Sequence, residues 1–352
     1  MSDRLSIGII GTGVMGSDHA HNLARGVRGA RLAAIADADE SRARALADSL
    51  GGAQPDGGPR VFTDGREMIA SGAVDAVIIA APDPFHAPLA LACLEAGLPV
   101  LCEKPLAPTA AEAAEVVRAH DALARPLMTV GFMRRFDPGY LALRDRLASG
   151  ADGALLMTHS VHRNVEAYPG QDSSATVTNS AVHEIDILPW LSGHEVVEVQ
   201  WAAGRASSLI SERHDPQLLL LRDAAGVLHT VELQVHAQYG YDVRCELVCE
   251  RASVELPPVP ALVEADEVIV SSGLARSSAY PADWRPRFAA AYRAELAAWV
   301  GASLEGRLPD GGATARDALR TTVVAEAIVR SMEQDGARIT VPSIDDALNG
   351  RA

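Results

Sequence analysis

The chain has 352 residues, of which 48% are hydrophobic and 22% charged, and its formal net charge is −15. This length suffices for two domains with substantial cores, and the composition is that of a soluble globular protein. The acidic balance argues against a nucleic-acid or anionic-membrane partner. There is no membrane-spanning apolar run and no signal peptide before the first strand, so we expect a cytoplasmic protein, and its four cysteines do not suggest a disulfide framework.

The most informative segment is a glycine-rich turn between the first predicted strand and the first predicted helix. An apolar strand, Leu5–Ile10, precedes the turn, and a helix is predicted from Ser17 to Arg25. In a dinucleotide-binding fingerprint, the three glycines allow a tight turn, close approach of the backbone to the pyrophosphate, and close packing of helix on strand. The pyrophosphate then lies at the helix N-terminus. The residues predicted to bind the dinucleotide here are Gly11, Thr12, Gly13, Val14, Met15 and Gly16.

A carboxylate at the end of the second predicted strand narrows the choice of dinucleotide. This strand, Arg31–Ala36, ends in Asp37. A carboxylate there accepts hydrogen bonds from the ribose 2′-OH and repels a 2′-phosphate. Arg42 and Arg44 in the next helix partly offset that charge. We predict NAD rather than NADP as the cofactor, and an N-cap role for Asp37 is compatible with this.

The first part of the chain alternates between strands and helices. This alternation predicts a doubly wound parallel sheet of the Rossmann type, which we assign to residues 1–128 as an NAD-binding domain. The stretch Gly51 to Arg60 is rich in glycine and proline and is predicted to be a loop. The further strands of this domain are predicted at Ala73–Ala80, Pro99–Cys102 and Leu127–Val130, with helices such as Pro84–Ala96 and Thr109–Leu123 between them.

After Val130 the strands alternate between polar and apolar residues, which is typical of a sheet with one exposed face. We therefore predict an α+β domain over residues 129–352, with a large, mostly antiparallel sheet, for substrate binding and oligomerisation. Its predicted strands are Ala154–His162, Val196–Ala203, Gln217–Arg222, Val227–Gln238 and Val243–Cys249, and its predicted helices are Gly139–Ala148, His183–Leu191, Arg287–Leu304 and Thr314–Gln334.

Two ionisable residues stand at positions that suit catalysis. Lys104 follows the strand Pro99–Cys102, and ligands of open α/β sheets lie beyond the carboxyl ends of the strands. Pro105 restricts the backbone of the lysine and so fixes its direction. By residue type alone, a lysine at a strand end is more often a surface charge, and His183 at a helix start is more often structural. Both alternatives remain open on the residue pattern.

The histidines give no sign of a metal site. His159 and His162 lie in one predicted strand, where their side chains point to opposite faces. The helix at His183 carries Ile187 where a zinc-protease motif needs its second histidine. We predict no metal ion.

Taken together, the motifs resemble the Gfo/Idh/MocA superfamily of nicotinamide-dependent sugar and polyol oxidoreductases. Within it, the chain is most similar to the bacterial inositol 2-dehydrogenases. The segments that carry the resemblance are the glycine turn, Ala81-Pro82-Asp83-Pro84-Phe85-His86, Glu103-Lys104-Pro105, the run from Val130 to Tyr140, His162-Arg163-Asn164, His183-Glu184-Ile185-Asp186 and Tyr239-Gly240-Tyr241-Asp242.

The resemblance implies an NAD-dependent oxidation of a secondary hydroxyl on a cyclic polyol or sugar. It implies that Lys104 contacts the reacting hydroxyl and that His183 is the general acid/base. The chemistry suits both, because a neutral imidazole can accept the proton and an ammonium group stabilises developing charge on oxygen. The resemblance also assigns Arg134, Asn164 and Tyr241 to the substrate pocket and Ala81, Pro82, His86 and Glu103 to the cofactor site. The alternatives for the three pocket residues are an ordinary salt bridge, a turn residue and a core tyrosine.

One position departs from the family pattern. The family usually carries aspartate four residues before the histidine, where this chain has Asn179. Asparagine keeps an acceptor oxygen but lacks the charge, so the imidazolium of His183 is less favoured and its pKa should fall. Asp172 and Asp186 are possible substitutes. By this position in the family pattern, Asn179 is assigned to the catalytic site.

The same superfamily includes proteins with other activities, which are the alternatives to a dehydrogenase. An NAD-dependent glycosidase would hold NAD tightly and not consume it, and a sensor would bind NAD and sugar without turnover. Such sensors tend to lose the lysine that is present here as Lys104. Family members commonly pair the exposed faces of their sheets, so we expect a homodimer or homotetramer.

Overall fold

The computed structural model describes residues 4–50, 58–167, 170–257, 270–272, 275–277 and 279–351. Most of the predicted loop from Gly51 to Arg60 lies outside these ranges, and Arg60 already belongs to a strand. No helix in the described ranges is both long and apolar enough to cross a membrane. The cysteines Cys93, Cys102, Cys245 and Cys249 are buried free thiols.

Strands are numbered in chain order over the described residues. They are β1 (Leu5–Ile10), β2 (Ala30–Ala36), β3 (Arg60–Phe62), β4 (Ala76–Ile79), β5 (Val100–Glu103), β6 (Met128–Gly131), β7 (Leu155–Arg163), β8 (Val196–Ala203), β9 (Gln217–Asp223), β10 (Leu228–Gln234), β11 (Asp242–Cys249), β12 (Ser253–Glu255), β13 (Val270–Ser272), β14 (Ala275–Ser277), β15 (Ala313–Thr314) and β16 (Ile339–Thr340).

Helices are numbered in the same way. They are α1 (Val14–Ala24), α2 (Glu40–Leu50), α3 (Gly65–Ala70), α4 (His86–Glu95), α5 (Ala110–Asp121), α6 (Pro138–Ala148), α7 (Ser173–Ala175), α8 (Val182–Ser192), α9 (Trp284–Leu304), α10 (Ala315–Glu333) and α11 (Ile344–Leu348). Short 3₁₀ turns cover Asp83–Phe85 and Met133–Phe136, and a π-helical segment covers Thr176–Ala181.

The chain divides into two compact units. The first unit holds the described residues up to Phe136, then Tyr292–Thr322 and the described residues from Ser343 onward. The second unit holds Asp137–Ala291 and Val323–Pro342. The division differs from a single boundary at residue 128, because the C-terminal part of the chain contributes segments to both units.

The first unit contains a seven-stranded sheet in the order β15-β6-β5-β4-β1-β2-β3. Strands β1 to β6 pair in parallel, and only β15 is antiparallel to its neighbour β6. The strand order reverses between β1 and β4, which is the topological switch point where dinucleotides bind in this fold. This sheet confirms the predicted Rossmann-type fold.

The core of the first unit includes part of a C-terminal helix. Leu296, Trp299 and Val300 of α9 are buried in one cluster with Ile7 of β1 and Leu32 of β2. Their spacing gives α9 one apolar face, and packing this face on the sheet removes it from water. The sequence shows the helix, but its local pattern does not show which sheet the helix covers.

The second unit contains a seven-stranded sheet in the order β12-β11-β7-β10-β9-β8-β16. Its pairs are antiparallel except for β7 with β10. Alternate residues are buried, as β10 shows, and Leu156 and Leu218 are among the exposed apolar side chains. The mostly antiparallel sheet with one more exposed face is therefore confirmed.

Candidate functional site

The glycine turn after β1 has a shape that only glycine allows at two of its positions. Gly11 has φ +93°, and a Cβ there would lie 2.4 Å from the carbonyl oxygen of Ala80. A Cβ on Gly16 would lie 1.8 Å from the carbonyl oxygen of Gly11. The first and third glycines therefore let the turn close against the end of β4 and let α1 start directly over β1.

The middle glycine faces open space instead. A Cβ on Gly13 would meet no protein atom within 4 Å. Gly13 is the N-cap of α1, and no side chain caps the helix there. Free N–H groups at a helix start attract an anion, and the open space above Gly13 lets a pyrophosphate approach them. The turn therefore fits a dinucleotide. Its other members are Thr12, which is buried, Val14, which is exposed, and Met15, which is partly buried.

This open space gives a sharp test of the turn. We expect Gly13→Ala to change the free energy of unfolding by about 1 kcal/mol or less, because φ −67° suits alanine and no atom is displaced. NAD binding should weaken by at least about tenfold, because the new methyl group occupies the approach to the pyrophosphate. Calorimetric titration with NAD measures the binding. The matched control is Gly301→Ala in α9, where the added Cβ also meets no atom within 4 Å. Unchanged NAD affinity in Gly13→Ala would exclude this turn as the pyrophosphate site.

Asp37 lies directly after β2 and is held in place by three neighbours. Its Oδ2 accepts from the Thr12 backbone N–H at 2.8 Å and from the Thr12 hydroxyl at 2.6 Å. Its Oδ1 accepts from the Asp39 N–H at 2.9 Å and from Arg42 Nη2 at 2.8 Å. Burial opposes ionisation of Asp37, but the hydrogen bonds from Thr12 and Arg42 outweigh it and lower its pKa to about 2. The carboxylate is therefore charged at neutral pH, as an acceptor for ribose hydroxyls must be.

The turn after β4 is held by His86. Its Nδ1 lies 2.6 Å from the Pro105 carbonyl oxygen and its Nε2 lies 2.7 Å from the Ala81 carbonyl oxygen. Both ring nitrogens are thus engaged within the protein. The buried imidazole ties the Ala81–Pro82 turn, which abuts the glycine turn, to the segment that follows Lys104.

Lys104 lies at the C-terminal end of β5, at the same edge of the sheet as the glycine turn. It is partly buried, and desolvation lowers the pKa of its ammonium group. The carboxylates of Glu103 and Asp83 act in the opposite direction, and the positive charge of Arg134 adds to the lowering. Arg134 is almost wholly buried in the 3₁₀ turn that follows β6.

The histidine of the second unit lies in a helical segment that is longer than predicted. Helix α8 begins at Val182, and the π-helical segment Thr176–Ala181 and the short α7 precede it. The predicted helix His183–Leu191 corresponds to α8 to within one residue at each end, and the helical segment that begins at Ser173 adds to it. His183 is partly exposed, so it is not packed into the apolar interior. π-Helical turns often mark functional sites, and Asn179 lies within this one.

The second unit groups several of the predicted residues around a second histidine. His162 is buried on β7, and its Nδ1 lies 2.9 Å from Oε2 of the buried Glu184. The His162 ring centroid lies 6.2 Å from that of His183 and 6.3 Å from that of Tyr241. Asn164 follows β7 and is fixed through its backbone, which donates to Gln234 O and accepts from Ala237 N.

The two possible substitutes for the family aspartate lie in different environments. Asp172 is exposed and caps α7, because its Oδ1 accepts from the Ala175 N–H at 2.9 Å. Asp186 is buried in α8. In the described residues, no group of three or more His, Cys, Asp or Glu side chains could hold a metal ion.

Sequence reasoning missed two features of these clusters. The contact of His162 with Glu184 and the contact of His19 with Glu103 are not visible in the sequence. Residue spacing within one strand or helix does not reveal side-chain pairs that form between segments distant in the sequence. The sequence carries one further signal for Lys104. It is the single lysine of the chain, whose other basic side chains are arginines and histidines.

Comparison with known proteins gives consistent results for both halves of the chain. Residues 5–132 match the family model of an oxidoreductase family with an NAD-binding Rossmann fold. Residues 140–255 match the model of the GFO/IDH/MocA C-terminal domain.

Individual relatives match nearly the full length. The chain is 45% identical to inositol 2-dehydrogenase 2 of Paenarthrobacter aurescens, over 96% of this chain and 98% of that protein. It is 46% identical to inositol 2-dehydrogenase 2 of Saccharopolyspora erythraea, with 93% of each chain covered. The crystal structure of myo-inositol dehydrogenase from Lactobacillus casei in complex with NAD(H) and myo-inositol has a TM-score of 0.89 at 28% identity, covering 97% of both chains.

Proposed function

Because the chain belongs to the Gfo/Idh/MocA family of NAD-binding oxidoreductases, we propose that it catalyses the NAD-dependent oxidation of a secondary hydroxyl of inositol. The observation that carries the proposal is the 45% identity to an inositol 2-dehydrogenase over nearly the whole of both chains. A fold by itself does not set a substrate, so the proposal also depends on the site residues around Lys104 in the first unit and around His183 in the second unit.

Several residues of the first unit would hold the NAD. The N–H groups at the start of α1 bind the pyrophosphate, and Asp37 accepts from the adenosine ribose. The turn at Ala81 and Pro82, which His86 holds against the segment after Lys104, borders the same switch point. Bound NAD supplies the redox chemistry, by accepting a hydride at its nicotinamide ring.

Two ionisable residues act on the substrate hydroxyl group that is oxidised. The Lys104 ammonium group donates a hydrogen bond to the carbinol oxygen and stabilises the negative charge that develops there. Neutral His183 accepts the hydroxyl proton as the carbinol carbon becomes a carbonyl carbon. His183 is partly exposed as a residue, while its Nδ1 is buried.

The remaining predicted residues bind the ring hydroxyls. Arg134 is a buried guanidinium next to Lys104, and Tyr241 is a buried phenol beside His162. Asn164 is held at the end of β7 by two backbone hydrogen bonds. Polar groups fixed in this way select a polyol, because an analogue that lacks a hydroxyl leaves a buried group unpaired.

The asparagine at position 179 gives a prediction for the pH profile. Asn179→Asp places a carboxylate four residues before His183 on one helical segment, which favours the imidazolium. The pKa of His183 should rise. Since the neutral form is active in oxidation, the acidic limb of kcat/KM should move to higher pH and activity at low pH should fall by up to about tenfold. Asn179→Ala, which removes the amide without adding charge, is the control. The interpretation fails if the limb moves equally in both variants, or in neither.

A substrate screen tests the proposed function directly. The full chain is incubated with NAD or NADP and with inositol isomers, aldoses or aminocyclitols, and the absorbance of the reduced cofactor is followed. We expect reduction of NAD with an inositol isomer, and weaker reduction of NADP because Asp37 repels a 2′-phosphate.

Three other outcomes would overturn the proposal. Turnover with aldoses but with no inositol would place the substrate elsewhere among the sugars. Cleavage of a glycoside with no net use of NAD would make the protein a glycosidase. Calorimetric binding of NAD and polyol without any turnover would make it a sensor.

A further inference from the structure

A buried histidine–carboxylate pair includes the residue that immediately precedes Lys104. His19 of α1 is fully buried, and its Nε2 lies 2.7 Å from Oε1 of Glu103, the last residue of β5. The Glu103 carboxyl group also lies over Gly131 of β6, where an added Cβ would be 3.3 Å from its Cδ and both its oxygens. The helix of the glycine turn and a neighbouring strand therefore fix one carboxylate immediately before the lysine.

The surroundings of the pair are defined by five elements of the first unit. Glu103 faces His19 of α1, His86 of α4 and its neighbour Lys104, and the ring of Tyr292 in α9 meets that of His19 edge-on with centroids 5.9 Å apart. Lys104 faces Glu103, Asp83 of the 3₁₀ turn before α4, and Arg134 of the turn after β6. The positive charge of Arg134 works against the ammonium form of Lys104, and the two carboxylates work for it.

Burial of a carboxylate beside the apolar interior is costly unless a partner compensates for it. Burial raises the pKa of Glu103, but the hydrogen bond from His19 and the charges around the carboxylate, that of Lys104 among them, outweigh burial and leave that pKa below its usual value. The hydrogen bond from His19 is the largest of the contributions that keep Glu103 ionised. The ionised Glu103 in turn opposes the loss of the Lys104 proton that desolvation favours.

We propose that the His19–Glu103 pair is a positioning device for Lys104, which holds a negative charge on the residue before the lysine and so keeps its amine protonated in the catalytic range of pH. The inference rests on the proposed role of Lys104 in the reaction. It gives Glu103 a role in charge balance, in addition to its predicted place in the cofactor site. It also gives His19 a function that its position in a helix interior does not suggest.

The composition of the chain allows the protonation of the Lys104 amine to be measured by itself. Lys104 is the only lysine, so an acylating reagent has a single side-chain amine to modify. Only the neutral amine reacts, and the pH dependence of labelling therefore measures the protonation of Lys104. Peptide mass spectrometry reads the labelled fraction of the full chain, with a free lysine derivative as the internal standard.

Glu103→Gln removes the charge while it keeps the shape and an acceptor for His19. At a fixed pH below the pKa of Lys104, we expect the reactive fraction of the amine to rise about tenfold or more. The reason is that the negative charge of the neighbouring Glu103, which favours the ammonium form, has been lost. His19→Leu should act in the same direction, since unpaired Glu103 then takes up a proton. His19→Gln, which keeps a neutral donor, should recover part of the parent behaviour. His21→Leu on the same helix is the control and should leave the labelling curve unchanged.

Folding of each variant is checked by circular dichroism and thermal unfolding. If Glu103→Gln and His19→Leu fold but leave the labelling curve of Lys104 where it was, the pair is structural only and the inference is wrong. A parent chain that oxidises no polyol would overturn the proposed function, but it would not affect the labelling result. In an active parent, the basic limb of kcat/KM should fall to lower pH in Glu103→Gln, in step with the labelling curve.

Discussion

Replacing His183 with asparagine is expected to lower kcat by about two to four orders of magnitude, which is the usual contribution of a positioned general base. Asparagine keeps a polar side chain of similar reach but cannot accept the hydroxyl proton at neutral pH. Binding of NAD should be unchanged, because the residues that would hold it lie in the first unit and His183 lies in the second. Steady-state kinetics and calorimetric titration with NAD separate the two effects.

The prediction for His183→Asn needs a control variant that loses a different imidazole of the same unit. His159 lies on β7 of the same unit, is exposed, and is hydrogen-bonded to Thr230 at 2.8 Å. His159→Asn should retain the parent kcat. If His183→Asn also retained kcat to within about twofold, His183 would not be the general base. Its neighbour His162, held by Glu184, would then be the next histidine to test.

Replacing Lys104 with methionine is expected to lower kcat/KM by about two to three orders of magnitude, the cost of removing one preorganised donor from a developing oxyanion. Methionine keeps the length and apolar stem of lysine, so the buried part of the side chain stays packed. Lys104→Arg should not restore activity, because a planar guanidinium cannot replace a compact ammonium at a fixed oxygen. The measurement is kcat/KM for inositol, with NAD binding as the check on the cofactor site.

The pH dependence of the parent follows from the environment of the lysine. Desolvation lowers the pKa of Lys104 despite the nearby carboxylates of Glu103 and Asp83. The protonated form is the active one, so activity is present below this pKa and is lost as the pH rises through it. We therefore expect the basic limb of kcat/KM to lie below the ordinary pKa of lysine. A limb at or above that value, or full activity in Lys104→Met, would remove Lys104 from the mechanism.

The parallel sheet and the glycine turn could be predicted from sequence because their determinants are local. Gly16 is required by a backbone contact within one strand–turn–helix, and β1 has the predicted bounds Leu5–Ile10. The short apolar runs of β4 and β5 likewise carry their own signal. Asp37 is found from the same pattern, since it follows β2 directly.

The features that could not be predicted depend on pairs from distant segments. His19 and Glu103 are 84 residues apart in the chain, and only the packing of α1 on the sheet brings them together. The π-helical turn before His183 has no established residue signature, so the helical segment that precedes α8 is not predictable from its sequence. The amphipathic pattern of α9 can be recognised in the sequence. Its packing in the first unit, however, depends on the shape of the core of that unit. Oligomeric state stays a prediction.

The central claim is that this chain removes hydrogen from a carbinol carbon of inositol and passes it to NAD. The most direct measurement uses myo-inositol that carries deuterium on the carbon to be oxidised, with mass spectrometry of the cofactor after turnover. The account predicts that one deuterium appears in the reduced NAD and that the substrate becomes the corresponding ketone. Reduced NAD without deuterium from any labelled ring carbon, or deuterium lost to water with no reduced NAD formed, would contradict it.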